Sequence, residues 1–404
     1  MKILVADKFS EAGLAQLREA GHTVVVEPGL SGGALTDALR RERPQTLIVR
    51  STKVTAADLD ANPDLELIVR AGAGYDTIDV ASASERGIFV ANCPGKNAAA
   101  VAELAFGLLL GLDRRIPDNV SEARQGRWNK GAFSKAAGVK GATLGLVGLG
   151  SIGQEMIPRA KAFGMRVVAW SRSLTDERAA ALGITRMGSP RDVAAAADIV
   201  SVHVALTPQT KGLISREVLE ALRDGALLVN TSRASVVDAE ALRWALDAKD
   251  LRYATDVPEG EPAAKEGPFE HPLAGHPNYY VTHHIGASTE QATEAIGQEA
   301  LRVVTTYAET GRVPNCVNLA EQSPATHLLT VRHRDRVGVL AGVLDEVSKA
   351  GWNVQEMENL IFEGAEAACA RIRFEVGPGT EPDEATLRAI GDQDHVLAAS
   401  VIAL

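Results

Sequence analysis

Three polar residues stand where strands or turns should end in the second half of this chain. Arg233 closes the run N-T-S-R, Glu261 sits in D-V-P-E-G-E-P, and His284 closes T-H-H. A guanidinium can pair with a carboxylate and polarise an adjacent carbonyl. An imidazole can take the proton of a hydroxyl and return it to a carbonyl oxygen. A carboxylate against the other ring nitrogen fixes the tautomer and favours the protonated ring. Together these groups suit the oxidation of a 2-hydroxy acid, or the reduction of a 2-oxo acid. Each has a plainer reading when taken alone. A histidine at a strand end is more often a hydrogen-bonded structural residue, and a glutamate in a turn is usually solvated charge. His283 competes with its neighbour as the base, and residue type does not choose between them. His271 and His276, in a proline-containing loop, read as surface residues.

Hydride chemistry needs a carrier, and residues 142–155 supply its cradle. An apolar run is followed by Gly148, Gly150 and Gly153 at G-x-G-x-x-G spacing, enclosing Ser151 and Ile152, and then by a helical run. The first glycine permits a tight turn, the second lets backbone approach a pyrophosphate, and the third lets helix pack on strand. Free N–H groups at the helix start face the negative charge. The motif is weak in isolation, but here it joins a strand to a helix, the context it requires.

Along the chain, residues 2–7, 22–27, 45–50, 65–70 and 88–91 read as strands separated by helices. The apolar run from residue 142, then 166–170, 198–203, 226–231, 252–257 and 279–282, form a second such series. The alternation implies two doubly wound parallel sheets, with ligands at the carboxyl ends of the strands. Arg50 and Arg70 close two strands of the first series, which makes both candidates for gripping an anion. A helix at 98–115 leads into the second unit, residues 124–138 read as an irregular surface connection, and a helix at 289–310 returns to the first. From residue 327 the pattern becomes βαββαβ, a small ferredoxin-like unit with a helix at 382–390 that has proline in its first turn. The expected division is 1–97 with 285–318, then 98–284, a linker at 319–326, and 327–404.

The 404 residues are 46% hydrophobic and 23% charged, the balance of a soluble globular protein of two or three domains. A net charge of −10 with no basic block argues against a nucleic-acid partner. Cys93, Cys316 and Cys369 lack metal-ligand or C-x-x-C spacing, so no metal is expected. No stretch has the length and apolarity of a membrane span, and M-K-I-L-V-A-D enters a strand without a leader pattern. The expectation is a cytoplasmic protein.

The ordered motifs V-R-S-T-K-V (49–54), R-A-G-A-G-Y-D (70–76), A-E-L (102–104), G-L-G-S-I-G, N-T-S-R, D-V-P-E-G-E-P and T-H-H-I-G-A-S-T (282–289) resemble the D-isomer-specific 2-hydroxyacid dehydrogenases. The resemblance is strongest to members that carry an ACT domain and act on D-3-phosphoglycerate. It implies a Rossmann-like cofactor domain, a flavodoxin-like substrate domain and a C-terminal ACT domain. It assigns catalysis to Arg233, Glu261 and His284 rather than His283, the nicotinamide amide to Asp256, and further cofactor contacts to His203 and Thr231. Backbone around Ala71, Gly72, Ala73 and Gly74 would hold the substrate carboxylate, with Arg50 and Arg70 near a distal phosphate. It also implies a homodimer or homotetramer acting on a small 2-hydroxy or 2-oxo acid.

This chain departs from the family pattern at several positions. Ser171 and Arg172 stand where relatives that use NAD end the second strand with Asp. Loss of that acid removes repulsion of a 2′-phosphate, so the cofactor is NAD or NADP. Ala205 replaces a Pro, and Ala234 replaces the Gly after the catalytic Arg; together with W-S-R-S, Ala234 suggests a glyoxylate or hydroxypyruvate reductase as the alternative. A metabolite-sensing protein on the same fold is a third reading, opposed by the intact Arg–Glu–His set. In the last domain, D-R-V-G-V-L (335–340) and G-W-N-V (351–354) carry the ACT resemblance. His333, Asp335 and Asn353 match a serine-sensing pocket in relatives, with Asp335 in place of Asn.

Overall fold

Short strands with almost no exposed residues set the architecture. The computed structural model describes residues 1–262, 267–377 and 379–404, in two compact units, Met1–Asn318 and Leu319–Leu404. In the first unit, β1 (Lys2–Val5), β2 (Thr23–Val26), β3 (Thr46–Val49), β4 (Leu67–Arg70) and β5 (Phe89–Ala91) form a five-stranded parallel sheet in the order β2-β1-β3-β4-β5. A seven-stranded parallel sheet follows from β6 (Thr143–Val147), β7 (Arg166–Trp170), β8 (Thr185–Arg186), β9 (Ile199–Val202), β10 (Leu227–Asn230), β11 (Arg252–Thr255) and β12 (Tyr279–Val281). Its order is β12-β11-β10-β9-β6-β7-β8. Parallel strands covered by helices on both faces must be apolar throughout, and T-L-I-V in β3 and T-L-G-L-V in β6 are buried at every position. Gly145 in β6 has a packing reason: a Cβ there would lie 2.6 Å from Val193 Cγ1 and 2.8 Å from Ala197 Cβ.

Strand order reverses between β1 and β3 in one sheet and between β6 and β9 in the other, and each reversal opens a crevice at the strand carboxyl ends. Helix Ala98–Arg114 packs Ala105, Phe106 and Leu109 against Leu144, Leu146 and Val229 of the larger sheet. Helix Glu290–Thr310 packs Ile296, Ala300 and Val303 against Ile3, Val5 and Leu67 of the smaller one.

The second unit contains β13 (His327–Arg334), helix Val339–Lys349, β14 (Asn353–Ile361), β15 (Ala367–Glu375), helix Glu384–Gly391 and β16 (Val396–Ala403). The strands form an antiparallel sheet in the order β14-β15-β13-β16, over a core of Leu329, Val331, Val343 and Ile372, with Trp352 stacked on Phe374 at 4.4 Å. Among the described residues, no helix is long and apolar enough to cross a membrane.

The helix from residue 98 ends where expected, with Arg115 left-handed at φ 50°, and an unexpected second helix, Ile116–Arg124, starts there with Pro117 in its first turn. A short helix, Pro190–Ala196, was missed, although Ser189 accepts from Asp192 N and proline follows the cap. In the last helix Asp383 is the cap, accepting from Thr386 N at 2.7 Å, so Pro382 precedes the helix instead of occupying its first turn.

One buried acid fixes the first switch point. Asp7 Oδ2 accepts the N–H groups of Arg50 (2.7 Å), Ser51 (3.0 Å) and Thr52 (3.0 Å), and Oδ1 accepts the Ser51 hydroxyl. Burial pushes its pKa up, but these bonds outweigh burial and hold the carboxyl below its ordinary value. A group depressed on folding stabilises above its unfolded pKa of about 3.9 and loses that contribution as pH falls through the folded value. Asp7→Asn should therefore cost about 1–3 kcal/mol at neutral pH, a deficit that shrinks as pH falls below about 3.9. Urea unfolding of both proteins across that range checks it, and a deficit that does not change with pH contradicts it.

Candidate active site

Two adjoining cavities, of about 1030 and 560 Å³, occupy the cleft between the strand ends of the two parallel sheets. Arg70, Asp76, Arg233 and His284 line both, so the charged groups stand where the cavities meet. Glu261 lines the larger one.

Turn geometry brings His284 into the cleft. The residue is left-handed, at φ 51°, in the turn after β12, and the turn is held from below by Asp256. Asp256 is 2% exposed; its Oδ1 accepts Thr282 Oγ1 at 2.6 Å and Ile285 N at 2.9 Å, and its Oδ2 accepts Gly286 N at 2.7 Å. His284 Nδ1 lies 2.8 and 3.0 Å from the two oxygens of Glu261. An ionised carboxylate only accepts, so Nδ1 carries the proton and Nε2 is left as the reactive nitrogen. His283 is exposed and lines neither cavity.

Arg233 follows β10, in extended backbone beside the short 3-10 turn Ala234–Val236. Its Nη2 donates to Asp76 Oδ1 at 2.7 Å, Nε to Asp76 Oδ2 at 3.2 Å, and Nη1 to the Ser232 carbonyl at 2.8 Å. The hydrogen bond from Arg233 holds the Asp76 carboxyl below its ordinary range. Sequence reasoning missed Asp76, although it ends the same R-A-G-A-G-Y-D run that begins at Arg70.

Arg70 is differently placed. Its Nε is buried without a hydrogen-bond partner, and among the described residues no carboxylate pairs with it. Burial, and then the charge of Arg233, push its pKa down to about 10. A guanidinium in that condition is suited to pairing with an anion. Ala73 and Gly74 line the smaller cavity, while Ala71 and Gly72 are buried behind it. Any side chain at Gly74 would collide with Arg233 Nη2. Arg50 lines neither cavity, although its charge is felt at Arg70. It lines a separate hollow with Ser10, Ser288, Thr289 and Glu290, because the turn after β3, pinned by Asp7, places it beside the start of helix Glu290–Thr310.

The glycine turn fits a dinucleotide pyrophosphate. Gly148, at φ 99°, passes against the His203 carbonyl, and Gly153 against the Gly148 carbonyl, so neither tolerates a Cβ. Space around Gly150 is open. Helix Ser151–Ala162 starts there, and the N–H groups of Ser151, Ile152 and Gly153 lie in the first turn, which has no intrahelical acceptors. Gly148 N donates to the Trp170 carbonyl at 2.8 Å, which sets Ser171 and exposed Arg172 beside the turn. Among the described residues Arg172 makes no ion pair. His203 shares hydrogen bonds with Ser201 Oγ (2.8 Å) and Thr231 Oγ1 (3.4 Å). Burial pushes its pKa down to about 3, so it faces the smaller cavity as a neutral ring.

The second unit does not gather its three candidate residues. His333 is 1% exposed, with Nδ1 donating to the Arg334 carbonyl and Nε2 against the side-chain amide of Asn359, which satisfies a neutral ring when the amide presents its NH2 group. It stands opposite Ala368, whereas Asn353 stands opposite Glu375 at the other end of β15. At about 3.4 Å per residue that separation is on the order of 20 Å. Asp335 is exposed after β13.

Residues 106–286 match the family model described as D-isomer specific 2-hydroxyacid dehydrogenase, NAD binding domain. The chain is 38% identical over 299 residues to D-3-phosphoglycerate dehydrogenase of Methanocaldococcus jannaschii, an alignment covering 74% of this chain and 55% of that one. It is 37% identical over 372 residues to D-3-phosphoglycerate dehydrogenase of Mycobacterium tuberculosis, covering 90% of this chain and 68% of the relative. Among solved structures, the NADPH-dependent glyoxylate/hydroxypyruvate reductase of Sinorhizobium meliloti, in complex with NADP and malonate, aligns with a TM-score of 0.67 at 32% identity. That alignment covers 78% of this chain and 96% of the reductase. The chain thus spans little more than half the length of the first relative and about two thirds of the second. With the family model, the glycine turn and the cleft in agreement, the chain belongs to the D-isomer-specific 2-hydroxyacid dehydrogenase family, NAD binding domain included.

Proposed function

We propose that the protein oxidises a D-2-hydroxy acid, D-3-phosphoglycerate to 3-phosphooxypyruvate, with a nicotinamide dinucleotide as partner. The observation that carries this reading is the pairing of Arg70, an uncompensated guanidinium, with Arg233 and the Glu261–His284 couple around one cleft. A substrate with a carboxylate at one end and a phosphate at the other answers both cations. The phosphoglycerate dehydrogenases among the relatives support the same choice.

In this reading His284 Nε2 accepts the C2 hydroxyl proton as C2 is oxidised. Glu261 on Nδ1 stabilises the imidazolium that forms. Arg233 binds the carboxylate and polarises the developing carbonyl, Ala73 and Gly74 offer backbone N–H groups, and Arg70 takes the distal phosphate. The nicotinamide, when bound, supplies the hydride acceptor. Gly150, Ser151 and Ile152 would hold its pyrophosphate, and Thr231, neutral His203 and Asp256 line the nicotinamide end. Because Asp256 already accepts three internal donors, its first effect is to fix the His284 turn. Ser171 and Arg172 leave room for a 2′-phosphate, so the cofactor is NAD or NADP.

A second reading, reduction of glyoxylate or hydroxypyruvate, is favoured by one observation. Arg50 lines a separate hollow, so one of the two arginines expected at a distal phosphate is not on the wall of either cavity. The Sinorhizobium meliloti reductase supports it.

We also propose that residues 327–404 form an ACT-like regulatory domain of a homodimer or homotetramer, with 319–326 as its linker. Its βαββαβ order and the exposed edge strand β14, bearing Met357, Leu360 and Ile361, support this reading. Antiparallel pairing of β14 from two copies would carry Asn353 of one copy to the sheet end that holds His333 and Asp335 of the other. Serine would be bound only in that assembly.

Initial rates with a panel of D-2-hydroxy and 2-oxo acids and both cofactors test the substrate. We expect the highest kcat/KM with D-3-phosphoglycerate and 3-phosphooxypyruvate, and no gain from the phosphate would favour the second reading. Replacing His284 by Asn should lower kcat by about 10²–10⁴-fold with dinucleotide affinity retained. Undiminished turnover by that variant contradicts the assigned role.

A further inference from the structure

The mechanism above uses Arg233 as a ready-made receptor, yet an arginine at a strand end has many rotamers and a second cation beside it. We infer that Asp76 is a positioning residue that fixes which N–H groups Arg233 shows the substrate. This inference rests on the dehydrogenase reading above.

Donor counting carries the argument. A guanidinium has five N–H donors in a rigid plane and no acceptor. In this structure Nε and one N–H of Nη2 go to the two oxygens of Asp76, and one N–H of Nη1 goes to the Ser232 carbonyl. Two donors remain, one on each terminal nitrogen. They form the end fork of the guanidinium, the pair that can take two oxygens of one substrate, a carboxylate oxygen and the C2 oxygen. The side-on bidentate contact with Asp76 holds the plane of that fork, and Gly74 leaves room for it because a Cβ there would strike Nη2.

Electrostatics give Asp76 a second effect. Arg70 and Arg233 both line the two cavities, and each makes the other's charge less favourable. Asp76 is the only carboxylate among the described residues bonded to either, so it offsets one of the two positive charges and leaves the other for the ligand. It also spans the cleft: Asp76 follows β4 of the smaller sheet, whereas Arg233 follows β10 of the larger. Arg233 is thus aligned only when the two sheets are in register across the substrate. Asp76 touches no reacting atom in this account and acts through Arg233.

Steady-state kinetics of Asp76→Ala and Asp76→Asn, with hydroxymalonate as a competitive probe of the carboxylate site, test the idea. Asp76→Ala should raise both KM for the hydroxy acid and Ki for hydroxymalonate by about 10- to 100-fold, the loss expected of a charge-assisted contact. Asp76→Asn should fall between Ala and wild type, because its amide oxygen still accepts from Nη2. The Kd for reduced dinucleotide, read by fluorescence, should stay within about twofold, which separates a local effect from misfolding. In an Arg233→Lys background, removing Asp76 should cost little more, since the fork it orients is gone. Ala kinetics within about twofold of wild type, or an equal loss in the Lys background, would overturn the inference. Wild-type protein inactive on every hydroxy acid would instead sink the dehydrogenase reading itself.

Discussion

Two guanidiniums share one half-buried cleft, and that shared positive charge is the constraint on which the rest depends. Arg70 and Arg233 repel, and burial removes the water that would screen them. Folding tolerates the arrangement because Asp76 offsets Arg233 and because the cleft remains open to an anion. In the proposed reaction the same field would favour the substrate's carboxylate and the developing negative charge on its C2 oxygen.

Everything beneath the cleft serves to hold these charges in place. Asp7 fastens the turn after β3, Asp256 fastens the turn after β12, and the Glu261 carboxylate fastens the imidazole. Asp7 and Asp256 are buried and Glu261 is exposed, and each is held by backbone or ring N–H groups, so each stores orientation in hydrogen bonds to the protein. His284 accepts a left-handed backbone to reach the cleft, a conformation that Asp256 holds by bonding the two following N–H groups. The glycine turn is built in the same spirit. Gly148 and Gly153 are pressed against carbonyls, which leaves the first-turn N–H groups of Ser151–Ala162 facing open space.

Much of this was legible in the chain. Parallel strands buried on both faces announce themselves as apolar runs, so the alternation that builds both parallel sheets could be read directly. That Arg233, Glu261 and His284 would meet at one cleft could be read because ligand-facing groups gather at the carboxyl ends of parallel strands. What escaped depends on where a side chain goes after its backbone is fixed. Arg50 and Arg70 looked equivalent at two strand ends, but the Asp7-pinned turn sends one to a separate hollow and the other into the cleft. Asp76 was invisible as a partner because its arginine lies far along the chain. His333 and Asn353 are separated by strand register, a property set by pairing with β15 and not by local sequence. Helix Pro190–Ala196 was readable from its cap and was passed over.

The most direct test of the central claim is a crystal structure with reduced dinucleotide and a non-reacting 2-hydroxy acid analogue such as hydroxymalonate. The account predicts the analogue's carboxylate on the Arg233 fork and its C2 oxygen within hydrogen-bond distance of His284 Nε2. Its second anionic group should lie toward Arg70. An analogue bound away from Arg233 and His284, or a dinucleotide that does not run along Gly148–Gly153, would contradict it.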